Sequence, residues 1–96
     1  MDRHAVKLDD RQFALIGKAL ADPKRFEMLK KIADSKEAPT CSSLCDWVRL
    51  APATVSHHLK ELENAGLVNV ERDGKFAYPT LRRDVWKLYL NRLSTL

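Results

Sequence analysis

Along most of the chain apolar residues recur at helical spacing, and over one short stretch they alternate. Phe13, Ile16 and Leu20 follow Asp9-Asp10, which predicts a capped helix from there to about Ala21. Asp22-Pro23 opens a second helix, with aspartate as cap and proline at the first position, where its missing N–H has no partner to lose. Phe26, Leu29 and Ala33 form its stripe, widened by Met28 and Ile32, and Ser35 to Pro39 has loop composition. Thr40 caps a short third helix through about Val48, carrying Leu44, Trp47 and Val48. After the turn Arg49-Leu50-Ala51, a fourth helix is predicted from Pro52 to Ala65. There Val55, Leu59 and Leu62 fall at i, i+4 and i+7 and set a core face.

Gly66 ends that helix, and Leu67 to Arg72 alternates as a half-buried strand. Asp73-Gly74 predicts the hairpin turn and Lys75-Phe76-Ala77-Tyr78 the returning strand, with Pro79 expected to stop the ladder. A last helix runs from about Arg82 to Ser94. Its apolar residues Val85, Trp86, Leu88, Tyr89, Leu90 and Leu93 cover more than one face, so it needs a second surface beyond its own domain, most simply a second subunit. Met1 to Leu8 is polar and patternless and is expected to form a mobile arm ahead of a single domain over residues 9–96. Helix, turn, helix and then a two-stranded hairpin is a winged helix: mainly α, with a small β-hairpin wing.

Composition narrows the class. Ninety-six residues support one core, and with 45% hydrophobic and 31% charged residues the chain is globular. No apolar run approaches the roughly 18–20 residues of a membrane span, and the N-terminus lacks a secretory segment, so the expected location is the cytoplasm. A formal charge of +4 permits nucleic-acid binding without establishing it. The basic residues are concentrated between Arg72 and Arg92, opposed there by Asp73 and Asp84.

On the fourth helix Ala53, Thr54, Ser56, His57 and Lys60 point away from the core stripe, and His58 flanks it. Short hydroxyl, imidazole and ammonium groups near a helix N-terminus suit base edges and phosphates in a major groove. Arg72 and Lys75 at the wing tip are placed for salt-dependent phosphate contacts. The expected partner is a double-stranded DNA operator. A winged helix used only to bind proteins is the alternative. An enzyme finds no support, because no phosphate-binding loop, paired carboxylates or nucleophile–base spacing is present.

The stretch Ala19-Leu20-Ala21-Asp22-Pro23-Lys24-Arg25-Phe26-Glu27-Met28-Leu29 resembles the ALADPTRLRIL opening of the ArsR/SmtB family of bacterial repressors. Thr54 to Leu62, then Ala65-Gly66-Leu67-Val68, is similar to that family's recognition helix, and Glu71 to Lys75 with Tyr78 to its wing. The likeness runs from about Phe13 to Leu93. It implies a homodimer joined through the first and last helices, which releases its operator when an inducer binds. Thr54, Ser56 and His57 match the family's base-facing positions, and Arg72 with Lys75 its wing. The implied dimer contacts are Phe13, Ile16, Leu20, Trp86, Tyr89, Leu90 and Leu93. One departure stands before Pro52, where a serine cap is usual and this chain has Ala51.

Cys41 and Cys45, four apart on the third helix, share a face. Three readings stay open for them: small packed thiols, a site for a soft metal or metalloid inducer, or an oxidant sensor. Cys45-Asp46-Trp47 resembles the end of the family's ELCVCDL motif, but the motif's first cysteine falls on Ser43. The family's final-helix site finds only Asp84 and no downstream histidine, and the arm offers His4 but no cysteine. No cofactor is required. Of the remaining groups, His57 is expected to touch phosphate or base, His58 to be partly buried and hydrogen-bonded locally, and Trp47 and Trp86 to serve core and dimer contacts.

Overall fold

Three polar side chains start the first three helices. In the computed structural model, which describes residues 8–95, Asp9 Oδ1 accepts from the backbone N–H of Gln12 at 2.7 Å and opens α1 (Asp10–Leu20). Asp22 Oδ1 accepts from the N–H groups of Lys24 and Arg25 at 2.9 and 3.0 Å, and α2 runs Pro23–Asp34. Thr40 Oγ1 accepts from Ser43 N–H at 3.1 Å ahead of α3 (Cys41–Val48). Each satisfies donors that a helix start leaves without intrahelical partners. Of the expected arm over Met1–Leu8, residues 1–7 and with them His4 lie outside the described residues, while Leu8 packs against the core.

Between α3 and α4 (Pro52–Asn64) the chain turns through Arg49, which adopts the left-handed conformation at φ 57. The N–H of Leu50 donates back to Cys45 O at 3.3 Å there. Nothing in the composition of Arg49-Leu50-Ala51 marked that residue, since glycine or asparagine is usual at such a position. α4 starts on Ala51 with no side-chain cap, as its sequence implies.

The hairpin lies one residue further on than expected. β1 is Val68–Asp73 and β2 is Phe76–Leu81, paired antiparallel from Val68 with Leu81 to Asp73 with Phe76. The turn residues are therefore Gly74, at φ 61, and Lys75, so Lys75 sits at the tip and not in the strand. Pro79 does not stop the ladder either: it pairs with Val70, and β2 continues to Leu81. The register explains this. Counted from the pair that closes the two-residue turn, Val70 and Pro79 occupy a non-hydrogen-bonded site, where the proline nitrogen faces away from β1 and no ladder bond is lost. The next link beyond the strands is Arg82 N–H to Leu67 O at 2.7 Å, after which α5 runs Arg83–Ser94.

The core gathers Ile16, Met28, Leu29, Ile32, Leu44, Val48, Val55, Leu62, Leu67 and Val85, each at most 4% exposed. Full burial of such a side chain is worth about 1.5–3 kcal/mol, so this stripe fixes which side of α4 faces inward. One expectation needs correction. Trp47 is 46% exposed and contributes little to the core, because Leu44 and Val48 already fill the inner face of so short a helix. α5 is apolar on two sides, as its spacing implies: Val85 and Tyr89 face inward, while Leu90 and Leu93 stay exposed. No helix among the described residues is long and apolar enough to cross a membrane.

Candidate nucleic-acid interface

α4 presents its two sides as the apolar spacing requires. Val55, Leu59 and Leu62 are buried, and Ala53, Thr54, Ser56, His57 and Lys60 are all exposed. Between this helix and the hairpin runs an open groove of about 750 Å³. Ala53, Ser56, His57 and Lys60 line it from the helix, and Arg72 and Lys75 from the hairpin. Thr54, though exposed, is not among the lining residues and looks out beside the groove.

The pleat aims the wing's charges. Arg72 pairs with Ala77 across the hairpin, and both line the groove, whereas Glu71 and Tyr78 lie on the opposite face of the sheet. Glu63, on the last turn of α4, places a carboxylate oxygen 3.5 Å from Arg72 Nη1. Lys75 at the tip reaches over the Phe76 ring at 5.8 Å. The groove therefore carries three cations, Lys60, Arg72 and Lys75, against the single carboxylate of Glu63. That balance favours a polyanion.

Three other arginines of the C-terminal half are committed within the chain. Arg82 pairs with Asp84 at 2.9 Å. Arg83 Nη2 donates to Ala33 O at 3.0 Å. Arg92 pairs with Asp10 and stacks over the Phe13 ring at 4.1 Å. The basic run from Arg72 to Arg92 thus separates into a wing that faces solvent and, in Arg83 and Arg92, staples holding α5 to α2 and α1, with Lys87 left exposed.

Behind the exposed face lies a contact the spacing did not reveal. His58 is the one buried polar side chain among the described residues, and its Nδ1 accepts from Arg25 Nε at 3.2 Å. The partner is thirty-three residues away, not local as expected. Arg25 also donates to Ala19 O at 3.3 Å, so it links α1, α2 and α4. Burial pushes the His58 imidazole below its ordinary value; Asp22 opposes that shift, and Arg25 and His57 reinforce it. The neutral ring consequently carries its proton on Nε2. The signal in the sequence was the bare occurrence of a histidine beside the core stripe, which demands a partner without naming it.

The cysteines are both unpaired and half-buried. Cys41 lines the groove between α4 and the wing, and burial, followed by the neighbouring Cys45, pushes its thiol up against a smaller pull from Arg72. No third histidine, cysteine or carboxylate joins them in a cluster among the described residues. The residues implied in dimer contacts divide as well. Ile16 and Tyr89 are buried in the subunit's own core, Phe13, Leu20 and Trp86 are half-buried against it, and Leu90 and Leu93 face outward.

This arrangement has close counterparts. The family model for bacterial regulatory proteins of the arsR family matches residues 22–70, just over half the chain, from the capped start of α2 into the wing. The HTH-type transcriptional regulator YceK of Bacillus subtilis is 32% identical over 82 residues, spanning 85% of this chain and 82% of that protein. The cadmium resistance transcriptional regulatory protein CadC of Listeria innocua is 31% identical over 61 residues, 64% of this chain and 50% of that one. Among solved structures, a homodimeric winged helix-turn-helix DNA-binding domain from Mycobacterium bovis, a possible ArsR-family regulator, superposes with a TM-score of 0.72. It shares 26% identity over 94% of this chain and 88% of that domain. Relatives and fold neighbours alike are regulators of transcription, not catalysts. This chain, with its winged helix-turn-helix and the matching motifs on α2 and α4, belongs to the ArsR family of bacterial regulatory proteins and is a DNA-binding transcriptional regulator.

Proposed function

We propose that the protein is a cytoplasmic, dimeric repressor that reads a palindromic operator with α4 and grips the flanking backbone with its wing. The observation that carries this is the shared groove: the small polar side of α4 and the cations of the hairpin line one concavity. Thr54, Ser56 and His57 take the base edges, with Ala53 allowing close approach, while Lys60, Arg72 and Lys75 take phosphates. Two copies are joined through α1 and α5, where Leu90 and Leu93 are 44% and 37% exposed and need cover. Phe13, Leu20 and Trp86 border that seam, and Ile16 and Tyr89 support it from within. The homodimeric state of the Mycobacterium bovis domain supports the same assembly.

Binding of a short palindromic duplex from its own promoter region tests the reading. Two chains per duplex are expected, with affinity falling steeply as salt rises. Thr54→Ala or His57→Ala is expected to narrow the difference between operator and random DNA. A protein that shows no preference for its promoter at low salt is not this repressor. Leu93→Glu is expected to give monomers and to lose operator binding with them.

A further inference from the structure

α2, the end of β2 and the start of α5 enclose a cleft of about 170 Å³. Phe26, Leu81 and Trp86 supply apolar walls, and buried Leu29 closes its inner side. Phe26 is 46% exposed, an unusual position for a phenylalanine with nothing over it. Lys30 and Arg83 are the charged groups on the lining, and no acidic residue is among them. Of the carboxylates adjoining the lining in sequence, Asp84 is engaged by Arg82 at 2.9 Å and Glu27 by Lys24 at 3.6 Å, and Asp34 forms no ion pair with Lys30. Lys30 forms no ion pair among the described residues. Arg83 is steadied by one bond to Ala33 O, which leaves its other donors for a ligand.

We propose that this cleft binds a compact aromatic carboxylate, with its single ring between Phe26 and Trp86 and its carboxylate on Arg83 and Lys30. Size sets the first limit, because an apolar cavity of about 150 Å³ accepts one benzene ring. Charge sets the second. A planar guanidinium and a nearby ammonium, neither held in an ion pair among the described residues, favour an anion, and Arg pairs with carboxylates through two parallel bonds. A neutral aromatic molecule would cover the two cations without satisfying them.

Occupancy has a route to the DNA-reading side. Leu81 ends the second wing strand, and the next residue, Arg82, is tied by its N–H to Leu67 O, just beyond α4. A ring seated between α2 and α5 bears directly on that joint, so ligand binding shifts wing and reading helix together. This regulatory consequence rests on the operator-binding reading, whereas occupancy of the cleft does not.

The test uses the full chain with Trp47→Phe, which leaves Trp86 as the only one of its two tryptophans. Benzoate and benzyl alcohol are titrated while Trp86 fluorescence is followed. Benzoate is expected to give a saturable change and to bind at least about tenfold more tightly than the alcohol. Arg83→Gln is expected to abolish that preference. Lys30→Gln, at an exposed position, is expected to reduce it with the fold intact. No saturable response at millimolar benzoate, or equal affinity for the two compounds, overturns the proposal. Benzoate binding that fades as protein concentration rises through the dimerisation range overturns it too, by assigning the cleft to a second copy. Operator binding is measured separately on the same protein. Its absence alongside intact benzoate binding defeats only the repressor reading, and its presence with no benzoate response defeats only this one.

Discussion

Arg25 Nε donates to Nδ1 of His58 at 3.2 Å, joining the second helix to the inner side of the reading helix. The bond exists only while the imidazole is neutral, because a protonated Nδ1 has no lone pair to offer. In the unfolded chain His58 titrates at its ordinary value of 6.5, and folding lowers that value through burial. Above this pH both states are neutral and the bond's full contribution is present. As pH falls through it, the unfolded chain takes up a proton that the folded chain resists, so stability is lost on acidification. Urea unfolding between about pH 7.5 and about pH 5 is expected to show this loss, and His58→Gln, which keeps an acceptor, to flatten it. Asp22 and Asp84, whose carboxyls are held below the usual range, titrate outside that window. An unchanged slope in His58→Gln would place the source elsewhere.

Ala51 already has the extended backbone of a helix cap, at φ −66 and ψ 152, and lacks only the side-chain acceptor. Ala51→Ser is expected to stabilise the protein by about 1 kcal/mol. In a domain of this size that raises the midpoint of thermal unfolding by about 4–8 °C. A midpoint at or below the wild-type value would show that the N–H groups of this first turn are satisfied in another way.

Gly66 sits at φ 80, and a Cβ there would overlap the Gln12 amide. That amide donates to Ala65 O at 3.3 Å and so closes the C-terminal end of α4 from α1. Gly66→Ala is expected to cost about 1–2 kcal/mol, chiefly from the left-handed backbone. Gln12→Ala should cost about 0.5–1.5 kcal/mol alone and clearly less in the Gly66→Ala background. Additive losses in that double-mutant cycle would separate the two residues.

Glu63 faces Arg72 across 3.5 Å, with the arginine well exposed and the glutamate half-buried. Such a pair contributes little to folding, so Glu63→Gln is expected to change stability by less than about 0.5 kcal/mol. The same change removes the groove's carboxylate and should tighten binding to every duplex. Lys75→Ala should do the reverse, weakening all sequences alike and flattening the salt slope by about one counterion. Equal salt slopes for Lys75→Ala and wild type would take the wing tip off the backbone.

Much of the fold was legible because its signals are local. Caps at Asp9, Asp22 and Thr40, the proline at position 52 and the stripe Val55-Leu59-Leu62 each act within one turn of helix, and each lies where the spacing predicts. The outward set from Ala53 to Lys60 follows from the same stripe, since a buried face dictates its opposite. Local rules failed where two segments had to agree. The turn moved to Gly74-Lys75 and Pro79 stayed within its strand because pairing between β1 and β2 set the register, not the residues of either strand alone.

The sequence by itself therefore determined the order of elements, the inner and outer sides of α4 and the family to which the chain belongs, because periodicity and capping are properties of neighbouring residues. Only the tertiary structure decided what those sides touch. It gave His58 to Arg25, Ala65 to Gln12, Arg72 to Glu63 and the C-terminal arginines to α1 and α2. Most of those partners lie far apart in the chain, and a buried or charged group announces its need for one without encoding which. The cleft beside Arg83 belongs to the same class, since three elements meet to form it and none of them carries it alone.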